Sequence, residues 1–214
     1  SRGLGDVYKR QNPIRGQNNV QGACDMGASP NQFSGYQNID KPGVLEKFEK
    51  AWDTKLNPNI GTKATDCFPK MISGDIKGLF IFGEDPVRTD PNTHHVIKSL
   101  ESLDFFAIDE LFMTETAKLA DVILPGRSYA EKEGTFSNTE RRVQRVRKAV
   151  EIEGDTKPDT WIFTEIMRRM GYPQPHLTPA QIMDEIASVT PSFAGISHER
   201  LDSEEVNAVS YTHL

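Results

Sequence analysis

The chain has 214 residues, enough for one full domain and part of another. Hydrophobic residues make up 36% of it and charged residues 26%, and no apolar run approaches the roughly 20 residues that a membrane helix requires. The formal net charge of −6 argues against a dedicated nucleic-acid binder, which usually shows a basic face, and neither nucleic acid nor a membrane segment is expected.

Taken in chain order, the first stretch, Ser1–Gln11 (SRGLGDVYKRQ), has no clear periodicity and does not lead naturally into the residues after it. The last residues (VSYTHL) are similarly detached, and residues 1–11 and 208–214 are expected to be non-native flanks outside the fold. Arg15–Gly27 (RGQNNVQGACDMG) is rich in amides and small residues around one arginine. Amides and glycines line polar ligands because they offer donors without net charge, and the planar fork of Arg15 suits two-point pairing with a carboxylate. A structural ion pair is the default alternative for that arginine. Cys24 and Cys67 lie far apart and neither belongs to a C-x-x-C pair, so no zinc or iron–sulfur site is expected from this chain alone.

Leu45, Phe48 and Trp52 share one face of a helix over Val44–Trp52. Gly78–Phe82 (GLFIF) is a continuous apolar run stopped by Gly83-Glu84-Asp85-Pro86, and it reads as a strand buried on both faces. Pro91–Leu103 has helical spacing, Asp104–Asp109 is a second short strand, Thr114–Leu119 a short helix, and Ala120–Gly126 a third strand. Strands separated by helical segments imply parallel crossovers and an α/β fold. The stretch 131–150 is polar and arginine-rich and reads as loop, turn and strand. Pro158–Met170 is helical, with Gly171 and Pro173 as a stop. Thr178 and Gln181 have the spacing of a capping box. The expected organisation is an α/β dinucleotide-binding domain over 12–128 and connecting strand, loop and helix of adjoining domains over 129–207.

Ligands of open parallel sheets bind beyond the carboxyl ends of the strands. All three strand ends carry suitable groups: Asp85 with Thr89, then Asp109, then Gly126 after Pro125. An aspartate there can accept two hydrogen bonds from a guanine edge or from ribose hydroxyls. Capping of the following helix is the ordinary alternative for Asp85 and Asp109. There is no G-x-G-x-x-G, so a nicotinamide fingerprint is absent. Adjacent His94 and His95 point to different faces of their helix and are expected at the surface.

Asn12–Gly27 (NPIRGQNNVQGACDMG) resembles the N-P-x-R-G-Q-N-N-V-Q-G-A-C-D-M-G block of molybdopterin-dependent formate dehydrogenases. The likeness continues through Gly83–Pro86 (GEDP), Phe112–Ala117 (FMTETA), Ala120–Pro125 (ADVILP) and Glu133–Phe136 (EGTF), which are shared more widely among molybdopterin oxidoreductases. The resemblance implies an internal piece of a catalytic subunit that oxidises formate to carbon dioxide. It implies a bis-molybdopterin guanine dinucleotide cofactor carrying molybdenum or tungsten, and a 4Fe-4S cluster whose ligands lie elsewhere. It also implies electron-transfer partner subunits of iron–sulfur, flavin or hydrogenase type, and a cytoplasmic location, with the periplasm as the alternative. Arg15 would hold the formate carboxylate and Gln17 would neighbour the cofactor. Asp85, Thr89, Asp109 and Asp159 would hold a guanine dinucleotide half, with Gly126 lining the same groove. The family's metal-ligating cysteine or selenocysteine precedes Asn12, so the piece alone is expected to be inactive. Asn138–Arg142 (NTERR) departs from the family's N-x-E-G-R, with Arg141 in the glycine position. A nitrate reductase-like enzyme and a non-catalytic subunit of the same fold are the alternatives.

Overall fold

A computed structural model describes residues 16–152 and 154–203. The elements in chain order are α1 (Val20–Asp25), β1 (Gln32–Phe33), β2 (Gln37–Asn38), α2 (Val44–Trp52), α3 (Ala64–Ile72), β3 (Gly78–Phe82), α4 (Pro86–Thr89) and α5 (Thr93–Glu101). They continue with β4 (Phe105–Glu110), β5 (Val122–Pro125), β6 (Gly134–Ser137), β7 (Val143–Val146), α6 (Asp159–Arg169), α7 (Pro179–Val189) and α8 (His198–Asp202). Contacts group the chain into two units, one from 1–61, 133–146 and 177–214, the other from 62–132 and 147–176. Each unit is assembled from discontinuous segments.

The second unit is an α/β layer around a three-stranded parallel sheet in the order β3-β4-β5. The central strand carries the core: Phe106, Ala107, Ile108 and Asp109 are all buried. Phe106 and Ile108 pack with Met71 of α3, Val96 and Leu100 of α5, and Ala117. Full burial of such side chains contributes about 1.5–3 kcal/mol each, so this cluster is what holds α3 and α5 on the sheet. The expectation that β3 is buried on both faces fails. Its ends, Gly78 and Phe82, are exposed and Leu79–Ile81 only half-buried, because β3 pairs with β4 alone among the described strands. Phe80 and Phe82 instead meet the ring of Phe163 on α6 edge-on, at 5.7 and 5.2 Å. The expected helix at 114–119 is a single 3-10 turn, Ala117–Leu119.

The first unit joins small pieces. Phe33 stacks on Phe48 of α2 at 4.3 Å, and Trp52 closes the group at 5.0 Å from Phe48. Val143, Met183, Phe193 and Ile196 form a second apolar cluster. The capping box at the start of α7 is present, with Gln181 N–H donating to the Thr178 hydroxyl and Thr178 N–H donating to Gln181 Oε1. The β6–β7 hairpin turns through Asn138–Arg142: Arg141 N–H donates to Asn138 O at 2.9 Å and Asn138 N–H to Arg142 O at 3.0 Å. Such a three-residue loop needs a left-handed residue at its end, and Arg141 supplies it at φ 64°. The departure from the family glycine therefore falls on the turn position where a glycine is sterically preferred.

Candidate functional site

In a parallel sheet the carboxyl ends of the strands share one edge, so the residues that follow β3, β4 and β5 gather there. Register makes this specific. Phe82 pairs with Asp109 and Asp109 with Leu124, while Gly83 N–H donates to Asp109 O at 2.9 Å and Gly126 N–H to Glu110 O at 3.3 Å. Asp109 is thus fixed in register between both neighbouring strands.

That carboxylate belongs to a residue 2% exposed, and Oδ2 has no hydrogen-bond partner among the described residues. Burial without a donor is costly for an ionised acid. Burial first, then the neighbouring Asp159 and Glu110 carboxylates, push Asp109 up to about 6 against the opposing charge of Lys132. Asp159 opens α6, where an acid in the first turn complements the helix dipole, and its Oδ2 pairs with Lys132 Nζ. Gly126 lies between the two acids: a β-carbon there would overlap Asp109 Oδ1 and stand 3.3 Å from Asp159 Oδ1. Asp109 Oδ1 thus takes the space a side chain on Gly126 would fill, and acceptor oxygens of both acids meet at this edge. It suits a flat group that brings N–H donors.

Asp85 and Thr89 lie beyond the end of β3 but are engaged locally. Asp85 Oδ1 accepts from the Thr116 hydroxyl at 2.6 Å and from Thr116 N–H at 3.2 Å, a tie across 31 residues that fixes the loop after β3. The exposed Thr89 donates its hydroxyl to Glu84 Oε1 at 2.9 Å. Asp109, Gly126 and Asp159 are thus brought into one gap, and Asp85 and Thr89 form a second group on the same strand edge. Lys132 carried no signal in the sequence that singled it out.

Gln17 belongs to the first unit, exposed at the bend before α1; Arg15 lies outside the described residues. The amide-rich block is occupied with its own structure. Asn19, left-handed at φ 60°, accepts Ser137 N–H on Oδ1 at 3.0 Å, and a β-carbon on Gly22 would collide with that oxygen. Gln21 donates to Asp25 Oδ1 at 2.8 Å and to the Tyr36 hydroxyl at 3.0 Å, and both Gln21 and Asp25 are buried. Burial and the adjacent Asp25 carboxylate raise the Tyr36 hydroxyl above its ordinary range. Ligand lining was the expectation for these amides; Asn19 and Gln21 instead satisfy buried backbone and side-chain groups. The i, i+4 spacing of Gln21 and Asp25 is the signal that would have found this pair. Cys24 and Cys67 are both half-buried free thiols. Among the described residues no group of three or more histidine, cysteine or acidic side chains converges in a way that could hold a metal ion, and no helix is long and apolar enough to cross a membrane.

Comparison with known proteins gives this edge its context. The chain is 48% identical over 194 residues to the F420-dependent formate dehydrogenase 1 subunit alpha of Methanococcus maripaludis, matching 89% of this chain and 28% of that protein. It is 49% identical over 201 residues to the F420-dependent formate dehydrogenase subunit alpha of Methanocaldococcus jannaschii, matching 92% of this chain and 29% of that one. The chain thus spans less than a third of the length of these relatives. Among solved structures, acetylene hydratase from Pelobacter acetylenicus superposes with a TM-score of 0.53 over 73% of this chain and 22% of its own, at 24% identity, a likeness of fold. The molybdopterin oxidoreductase family model matches residues 4–169, and with the parallel sheet this places the chain in the molybdopterin oxidoreductase family.

Proposed function

We propose that this chain is part of the catalytic subunit of a formate dehydrogenase, and that its share of the work is to seat a guanine dinucleotide of the pterin cofactor at the carboxyl edge of the β3-β4-β5 sheet. The observation that carries this is the buried Asp109 carboxylate, whose Oδ2 has no partner among the described residues, against a glycine that brings its other oxygen near that of Asp159. The amino and imino N–H groups of guanine are the donors such acids accept; adenine offers an acceptor at the equivalent ring nitrogen. The residues therefore fit the group that the family implies. Asp109 and Asp159 would take the base, with Gly126 admitting its plane. Asp85 and Thr89 would bind the remainder of that half, Asp85 through the oxygen that Thr116 leaves open.

Arg15 and Gln17 complete the proposal from the family block. Arg15 orients the formate carboxylate by a two-point contact, and Gln17 contacts the pterin. When bound, the molybdenum or tungsten cofactor supplies two-electron redox chemistry, by which formate gives carbon dioxide, a proton and two electrons that leave through a 4Fe-4S cluster to partner subunits. The cytoplasm is the proposed compartment.

The complete enzyme tests this directly. Asp109→Asn is expected to lower both the metal content and the guanine nucleotide released by acid, since an amide adds donors where the base needs acceptors. Full loading of that variant would sink the assignment. Arg15→Ala is expected to raise KM for formate sharply with metal content unchanged, and an unaltered KM would remove Arg15 from the substrate site.

A further inference from the structure

Two carboxylates facing one gap repel each other, and a guanine seat alone does not explain how both stay aimed at it. Lys132 does. Its ammonium pairs with Asp159 Oδ2, the side chains being 27% and 18% exposed, and this leaves Asp159 Oδ1 as the oxygen directed over Gly126. Asp109 Oδ1 reaches the same point from β4. Asp159 sits on the first turn of a helix, with enough exposure that an unpaired side chain would rotate toward water and away from the negative charge of Asp109.

We infer that Lys132 is a positioning residue of the nucleotide site: by clamping one oxygen of Asp159 it presents the other beside Asp109, so that the two acids read one donor edge together. This inference rests on the proposed seating of a guanine at this edge. Lys132 also offsets part of the negative charge around Asp109, which keeps it ionised and accepting to a lower pH than its burial and the neighbouring acids would allow. The groups facing Asp109 are Asp159 and Glu110, which raise it, and Lys132, which lowers it.

The test uses the full chain with guanosine and adenosine, nucleosides without phosphates that titrate near neutrality, followed by calorimetry from pH 5 to 8. Wild type is expected to bind guanosine over adenosine, with binding lost as the pH falls through about 6. Lys132→Gln is expected to weaken guanosine about tenfold at pH 7 and to move the midpoint upward, while Lys132→Arg stays within about twofold of wild type. A merely structural role for Lys132 would not move the midpoint. An unchanged or tighter affinity in Lys132→Gln overturns the inference and leaves the guanine seat standing, as does a tenfold loss in a folded Lys132→Arg protein, which also serves if the glutamine variant melts. A wild-type chain that does not prefer guanosine overturns the guanine seat itself.

Discussion

The stretch Gln17–Gly27 and the strand edge around Asp109 differ in a way that runs against their composition. The first is crowded with amides and glycines, yet Asn19 and Gln21 are engaged by Ser137, Asp25 and Tyr36. The second holds few polar groups in an apolar sheet, yet it contains a buried carboxylate oxygen without a donor among the described residues. Internal hydrogen bonds thus account for Asn19 and Gln21 in the first stretch, while the buried Asp109 oxygen carries a cost that a donor-bearing ligand would remove.

The sharpest way to break this comparison is Asp109→Asn in the ligand-free chain. A carboxyl raised to about 6 binds its proton more tightly folded than unfolded, so its contribution to stability declines as pH rises from about 4 to 6. The loss amounts to about 2–3 kcal/mol above pH 7. Asp109→Asn is expected to remove that decline, raising stability at pH 8 while leaving it unchanged below pH 4; denaturant melts at the two pH values decide it, and a destabilised variant at pH 8 would refute the site as a source of strain. Gly126→Ala should cost about 1–3 kcal/mol and abolish guanosine binding, because the methyl lands on Asp109 Oδ1. Gly22→Ala should cost about 1–2 kcal/mol, through displacement of the Asn19 side chain from Ser137 N–H, without altering the nucleoside affinity of the other unit. If Gly22→Ala is neutral, the amide block is less committed to structure than its hydrogen bonds indicate. Smallest is Arg141→Gly, which restores the residue that a left-handed turn prefers and should gain about 0.5–1 kcal/mol, read as a shift in the urea midpoint.

Much of the second unit was legible because its signals are local. The run Gly78–Phe82 gives β3 residue for residue, and in the other unit the face of Leu45, Phe48 and Trp52 gives α2 over Val44–Trp52 in the same local way. Strand ends carrying Asp109 and Gly126 follow from the sheet being parallel. What was not legible depends on distant partners. Nothing near Lys132 in the sequence announces Asp159, and nothing near Asn19 announces Ser137, 118 residues on. Exposure of Phe82 could not be read from an apolar run either, since it depends on whether a further strand lies alongside β3.

That separation has a consequence for the order in which the chain acquires structure. The sheet of the second unit pairs strands lying within 78–125 and can close as soon as that stretch has emerged during synthesis. The first unit cannot. Its α1 segment waits for Ser137, and the Ser34 hydroxyl waits for Thr190, 156 residues later, so its N-terminal third is made long before it has anything to close upon. Loop closure over such spans is slow. The α1 segment and Ser34 are therefore the parts of this unit that wait longest for their partners, open meanwhile to chaperones and proteases.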